Sequence, residues 1–323
     1  MCVDFNSCCS HIFAVDRMLV TNKDVMSKAA AEGYAVGAFN INNLETVLAI
    51  TEAVTEEKSP AIIAVTPSAI KYGGLDYLAG IVKVAAKSVT QPVALHLDHG
   101  LDFETVAKCV DAGFTSVMID VSRLNFEENI AATRKVVDLA HPRGISVEAE
   151  LGKLAGIEET TVDEKDAVLT DPDSAKEFVK RTGVDALAVA IGTSHGAYKF
   201  KGVPKLDFER LKAIRERVDA LLVLHGASSV PPWIIEKATK YGAELSGAKG
   251  IPEEHIRKAT SMGVSKVNID TDLRLAFTGA VREVLATSPS QYDPRKILGP
   301  GKDAMKKVVK EKMHLFGSSD KAL

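Results

Sequence analysis

Three histidines stand where apolar runs end. The runs close as Leu95-His96-Leu97-Asp98-His99-Gly100, Gly192-Thr193-Ser194-His195-Gly196 and Leu222-Val223-Leu224-His225-Gly226. Each reads as a buried parallel strand terminated by a His-Gly pair. Neutral imidazole is the commonest metal ligand. Three protein ligands with an open fourth position describe a catalytic zinc rather than a structural one. Asp98 beside His99 adds a carboxylate that can serve as general acid/base or as a ligand itself. Neighbouring residues of a regular strand point to opposite faces. Both can therefore reach one site only through a bend at the strand end, which Gly100 would permit. His96, farther down the same run, is read as a hydrogen-bonded core histidine.

Strand-like runs are expected over residues 36–40, 61–66, 93–98, 116–120, 146–151, 186–192, 221–225 and 266–270. Helical periodicity lies between them, as over 44–57 and 126–140. Gly113 and Gly144 mark helix ends just before the next strand. Alternating strands and helices in this number, over about 300 residues, predict an α/β fold, a single-domain (β/α)8 TIM barrel. A doubly wound sheet would carry a Gly-rich turn after its first strand, and residues 36–43 have none. In a barrel the site lies at the carboxyl ends of the strands. Asn40, Thr66, Asp98, His99, Asp120, Glu150, His195, His225, Asn268 and Asp270 stand there. Residues in a plain core would be apolar, so these need a shared purpose.

The loop from Gly192 to Lys199 has small residues that expose backbone N–H groups, and Lys199 adds a positive charge. It can cradle a phosphate. The stretches Gly226-Ala227-Ser228-Ser229 and Asn268-Ile269-Asp270-Thr271 share this character, at the usual phosphate site of such barrels. The connection from Gly152 to Asp173 is too long for a plain turn and reads as a lid, with Glu158 or Glu159 available on closure. Residues 292–301 read as an ordered turn before a final helix over 304–316. Its Lys306, Lys307, Lys310 and Lys312 read as a solvated face.

The chain has 323 residues, 46% hydrophobic and 26% charged, with net charge −3, which excludes a strongly basic nucleic-acid surface. No apolar stretch approaches the roughly 20 residues of a membrane span. Residues 1–17 are expected to be a disordered tail or an upstream start, and residues 18–323 the catalytic barrel with a C-terminal helical segment. The tail holds Cys2, Cys8 and Cys9, without a second ligand pair to make a metal site with His11. Cys109 is read as a small core residue, so disulfides are not expected and a reducing, cytoplasmic setting is.

These motifs, with Gly37-Ala38-Phe39-Asn40, Glu148-Ala149-Glu150-Leu151-Gly152 and Asn268-Ile269-Asp270-Thr271-Asp272, resemble the class II, metal-dependent fructose-1,6-bisphosphate aldolases, in the branch that includes the tagatose-bisphosphate enzymes. The likeness runs from about Met18 to the C-terminus. It implies a catalytic zinc on His99, His195 and His225, with Glu150 and Asp120 at an alternative metal site. It implies Asp98 as acid/base at the C4 hydroxyl and Glu158 as the loop residue that moves the proton at C3. Asn40, Thr66, Gly196, Lys199, Gly226, Ser228, Asn268 and Thr271 would contact substrate. Asp293 and Arg295 would reach a neighbouring subunit's site, hence a homodimer or homotetramer. A monovalent cation, Na+ or K+, is implied near the phosphate loops. Asp270 and Arg274 fit the fructose rather than the tagatose enzymes. Thr66 keeps the hydroxyl where many members have serine, and Ser122-Arg123-Leu124-Asn125 replaces a more histidine-rich stretch.

The expected activity is that of a lyase of glycolysis and gluconeogenesis: reversible aldol cleavage of fructose 1,6-bisphosphate, a bisphosphorylated ketose, to dihydroxyacetone phosphate and glyceraldehyde 3-phosphate. Zinc would take up the charge of the enediolate as a Lewis acid. The competing readings are a tagatose-1,6-bisphosphate aldolase and a non-catalytic sugar-phosphate-binding or scaffold barrel. A Schiff-base lysine is disfavoured because Lys266 is expected to begin the last strand, at the wrong end of the barrel.

Overall fold

The computed structural model describes residues 19–157, 159, 161–196, 206–245 and 249–322. The strands are β1 (Val36–Asn40), β2 (Ala61–Val65), β3 (Val93–Gly100), β4 (Ser116–Ile119), β5 (Ser146–Leu151), β6 (Gly156–Ile157), β7 (Thr161–Val162), β8 (Ala186–Val189), β9 (Leu221–Leu224) and β10 (Val264–Ile269). All but β6 and β7 close into a parallel barrel in the order β1-β10-β9-β8-β5-β4-β3-β2. The helices are α1 (Asn22–Glu32), α2 (Leu44–Glu57), α3 (Pro67–Gly73), α4 (Leu75–Ala86), α5 (Phe103–Asp111), α6 (Phe126–Ala140), α7 (Pro172–Thr182), α8 (Phe208–Arg215), α9 (Pro232–Lys240), α10 (Glu253–Ser261), α11 (Thr271–Thr287) and α12 (Pro294–Phe316). The expected barrel is therefore present, with β1, β5, α2 and α6 at their expected bounds. Asn43 caps α2 by accepting from the Thr46 N–H, and Asn125 caps α6 in a reciprocal box with Glu128. That cap gives the Ser122–Asn125 stretch a structural task.

Successive strand residues face opposite sides, and the two sides carry different chemistry. Phe39, Ile63, Leu95, Val117, Leu187, Leu222 and Val267 form the layer beneath the helices. The inward set begins apolar, with Val36, Ala38, Ile62, Ala94, Met118, Ala186, Ala188 and Val223 packed together with Val25, Met26 and Ala29 of α1. So α1 plugs the amino end of the barrel. Toward the carboxyl end the inward residues become His96, Glu148 and Lys266, then Asp98, Glu150 and Asn268. β3, β5 and β10 are not neighbours in the sheet, so the hydrogen bonds among these side chains cross the barrel interior. An apolar floor thus supports a polar ceiling.

Several expectations are corrected. β10 starts at Val264, so Lys266 lies inside the strand and fully buried in the barrel, not at its beginning. Its Nζ donates to both Glu148 oxygens at 2.8 and 2.7 Å and lies 3.2 Å from His96 Nε2. The expected turn over 292–301 lies mostly within α12, which runs through Pro300. Gly301 lets this helix pack closely on α11, since a Cβ there would stand 2.5 Å from the Phe277 ring. Lys312 is not solvated but fully buried, whereas Lys306 and Lys310 pair with Glu56. Cys109 is buried in α5, where loss of solvent pushes its thiol up to about 12. Residues 1–18, with their cysteines and His11, lie outside the described residues.

Gly100 lets the end of β3 pack closely against β4. A Cβ there would stand 2.5 Å from the Met118 carbonyl oxygen and 2.9 Å from Leu97 Cδ2. Gly100→Ala is expected to cost roughly 1–3 kcal/mol by overpacking. A urea midpoint unchanged from wild type would show that the strand has room to give.

Candidate active site

Asp98 is fully buried at the barrel's carboxyl end. Asn40 Nδ2 donates to its Oδ2 at 2.8 Å and Asn268 Nδ2 to its Oδ1 at 2.9 Å. Burial opposes a charge here, but the neighbouring His99, Lys266 and His225 outweigh it and hold the carboxyl well below its usual range. The two asparagines thus fix an ionised carboxylate. Their own carbonyl oxygens are buried without a hydrogen-bond partner among the described residues.

The bend needed to bring Asp98 and His99 together is present. His99 itself takes φ +51°, and the pairing of β3 with β4 shifts between Leu97 and Gly100. A left-handed non-glycine residue is uncommon and recurs at functional sites. The strain therefore sits on His99 rather than on Gly100. His99 Nδ1 lies 2.8 Å from Asp120 Oδ2. Burial lowers the affinity of His99 for a proton, but Asp98 and Asp120 overturn that and push it up to about 10. Ser122 Oγ donates to the other Asp120 oxygen at 2.8 Å.

The His99 ring centroid lies 4.6 Å from that of His225 and 5.3 Å from that of His195, and the last two are 6.3 Å apart. Two donor groups converge within 4.8 Å: Asp98, His99 and His225, and His99, Asp120 and Glu150. Imidazole nitrogens mixed with carboxylates suit a divalent transition metal, so these residues fit one. His195 belongs to neither tight group. His225 Nδ1 lies 2.9 Å from Glu150 Oε2 and Nε2 lies 3.0 Å from Glu148 Oε1. Beneath it, burial and the Lys266 charge push His96 down to about 3, and its Nδ1 lies 3.1 Å from Ser116 Oγ. His96 is the neutral core histidine that its position suggested.

Asn40, Thr66, His195, Gly196, Gly226, Ser228, Asn268, Asp270, Thr271 and Arg274 line one cavity, together with Ser68 and Glu159. Arg274 Nη2 pairs with Asp270 Oδ2 at 2.7 Å, one helical turn apart at the start of α11. An adjoining cavity is lined by His99, Asp120, Glu150, Lys153 and Arg123 among others. Between them passes the long connection after β5, which holds the antiparallel β6–β7 hairpin. The hairpin rests on the site: His195 N–H donates to Ala155 O at 2.9 Å, and Ser194 Oγ donates to the same oxygen at 2.8 Å. Glu159 accepts from Ser68 Oγ at 2.6 Å and from the Ser68 N–H at 3.1 Å. Glu158 and Lys199 lie outside the described residues. Asp293 and Arg295 pair with each other at 2.8 Å and line neither cavity.

Sequence reasoning missed Ser68 and Glu148 and misplaced Lys266. Ser68 had no signal beyond lying two residues after Thr66, and Glu148 had one: a carboxylate in the middle of a buried strand.

A family model described as class-II fructose-bisphosphate aldolase matches residues 20–244 and 245–321. The fructose-bisphosphate aldolase of Thermus caldophilus is 55% identical over 306 residues, covering 94% of this chain and 100% of that one. That of Helicobacter pylori strain 26695 is 53% identical with the same coverage. Among solved structures, the YdjI aldolase of Escherichia coli K12 matches with a TM-score of 0.76 and 33% identity, over 95% of this chain and 100% of that one.

Proposed function

The chain belongs to the class II fructose-bisphosphate aldolases, a family of metal-dependent lyases, and we propose that it reversibly cleaves fructose 1,6-bisphosphate to dihydroxyacetone phosphate and glyceraldehyde 3-phosphate. The observation that carries this reading is the buried Asp98 carboxyl, clamped between Asn40 and Asn268 beside the histidine cluster. Asp98 takes the proton from the C4 hydroxyl. The C3–C4 bond then breaks, leaving the aldehyde on one side and the electron pair, as an enediolate, on the other. Glu158 delivers the proton to C3. Held by His99, His195 and His225, with Glu150 and Asp120 as an alternative site, a zinc ion would supply Lewis-acid polarisation of the substrate carbonyl.

The loops bearing Gly196, Lys199, Gly226, Ser228 and Thr271 hold phosphate, and Asn40 and Asn268 line the same cavity. Fixing the substrate at its ends positions the reacting bond. Thr66 Oγ1 lies 2.9 Å from Ser68 Oγ and so continues the polar wall toward Glu159. Asp270 with Arg274 selects the fructose configuration at C4. A sodium or potassium ion beside the phosphate loops is the second ion of this reading. Asp293 and Arg295 serve the site of a second copy in a homodimer or homotetramer, and the enzyme works in the cytoplasm. Among the described residues no helix is long and apolar enough to cross a membrane.

The test is a coupled cleavage assay of fructose and tagatose 1,6-bisphosphates, each with chelator and with zinc added back. Chelator-sensitive cleavage that favours the fructose compound is expected. Preference for tagatose would keep the mechanism and reject Asp270 and Arg274 as selectors. Activity that survives thorough metal removal would reject the metal reading.

A further inference from the structure

Lys312 lies five turns along the last helix, yet it is fully buried and its Nζ sits 3.0 Å from Asp272 Oδ2. Asp272 is equally buried, in the first turn of α11 directly after the cavity residue Thr271. An aspartate there would ordinarily serve its own helix N-terminus. Instead, Asp272 reaches across to the loop after β9. Its Oδ1 accepts from the Val230 N–H at 2.9 Å and its Oδ2 from the Ser229 N–H at 3.3 Å. Lys312 Nζ also donates to Ser229 Oγ.

That loop has an unusual backbone. Val230 takes φ +47°, a conformation in which a β-branched residue is a genuine outlier and persists only when its surroundings hold it. On the far side, Ile251 N–H donates to Ser228 O at 3.1 Å, and a Cβ at Gly250 would stand 2.3 Å from that same oxygen. The loop is therefore clamped from both sides just where Gly226 and Ser228 face the cavity.

We propose that Lys312 is a positioning residue for substrate phosphate: through Asp272 it fixes the loop after β9 and cancels a carboxylate charge beside the anion's seat. This rests on the reading above that the loop holds a phosphate. Both effects follow from the geometry. Two consecutive amides committed to Asp272 set the orientation of the peptides before them. The Lys312 ammonium also neutralises a carboxylate that would otherwise repel a dianion one residue from Thr271.

The test compares wild type, Lys312→Met and Lys312→Arg by steady-state cleavage of fructose 1,6-bisphosphate and by competitive inhibition with inorganic phosphate. Lys312→Met is expected to raise KM and the phosphate inhibition constant together by about tenfold, with kcat changed far less. Lys312→Arg, which keeps the charge, is expected to restore most of the loss. Loss of stability with KM and phosphate inhibition unchanged overturns the proposal and leaves an ordinary buried ion pair. A fall in kcat alone overturns it too. Should Lys312→Met fail to fold, the Lys312→Met, Asp272→Asn double variant leaves no buried charge unpaired. It is still expected to bind phosphate weakly, because the Ser229 and Val230 amides have lost their anionic acceptor. If wild type neither cleaves the bisphosphate nor is inhibited by phosphate, the underlying reading fails in wild type itself, whatever the variants do, and the proposal falls with it.

Discussion

Asp98→Ala is expected to lower kcat for fructose 1,6-bisphosphate by roughly 10²–10⁴-fold, the usual worth of a positioned general acid/base, while metal content stays at the wild-type level. The carboxyl is buried and aimed by two amide donors. Those donors fix its geometry. The metal measurement matters because Asp98 also converges with His99 and His225 as a donor. If the metal is lost with the carboxylate, Asp98 is a ligand and its acid/base role is unproven. If most of the activity survives with metal bound, the acid/base assignment is wrong. KM should move little, since an interaction made mainly in the transition state lowers kcat and kcat/KM together.

The second large effect is on stability. Lys266→Met is expected to destabilise the fold by about 3–5 kcal/mol, because removing one partner of a buried ion pair strands the other. Here the stranded group is Glu148, whose carboxyl burial would raise but which Lys266 pulls down to about 2. Methionine fills a similar volume, so the loss is one of charge rather than packing. Adding Glu148→Leu should recover much of the stability, since an apolar pair of similar size is often as stable as a buried ion pair. It should not recover activity. His225 Nε2 lies 3.0 Å from Glu148, and with His225 in its proposed metal-holding role, an outer partner of this kind typically affects metal affinity or activity by about 10–100-fold. Denaturation midpoints that order the two variants the other way would show that the Glu148 carboxylate is solvated on its own. Full activity in the double variant would show that Glu148 does not orient His225.

The same pair bears on the choice of chemistry. Lys266 was set aside as a Schiff-base candidate for lying at the wrong end of the barrel, and it lies inside instead. The reason for setting it aside was wrong, but its place in the structure gives a different one. A Schiff-base lysine must shed its proton to attack a carbonyl, whereas the Lys266 ammonium is held by both oxygens of an ionised carboxylate.

What could be read from the sequence is what local patterning encodes. Apolar runs that end in His-Gly, with helices between them, specify strands buried on both faces and so a closed parallel barrel. Polar residues at strand ends then locate the cavity, and Asn40, Thr66, His195, Asn268 and Asp270 all line it. Capping residues such as Asn43 and Asn125 mark helix starts because their partners lie three residues away. The tertiary structure alone decided the fates of the lysines. Lys312 has the sequence surroundings of a surface residue, and only the packing of α12 on α11 buries it against Asp272. Lys266 meets Glu148 across the barrel, 118 residues away in the chain. Ser68 meets Glu159 only because the β6–β7 hairpin folds over the barrel mouth. Periodicity reports which way a side chain faces relative to its neighbours in the chain. It carries no information about which charge will stand opposite once distant elements meet, and in a low-dielectric interior that opposing charge decides whether a titratable group can be buried at all.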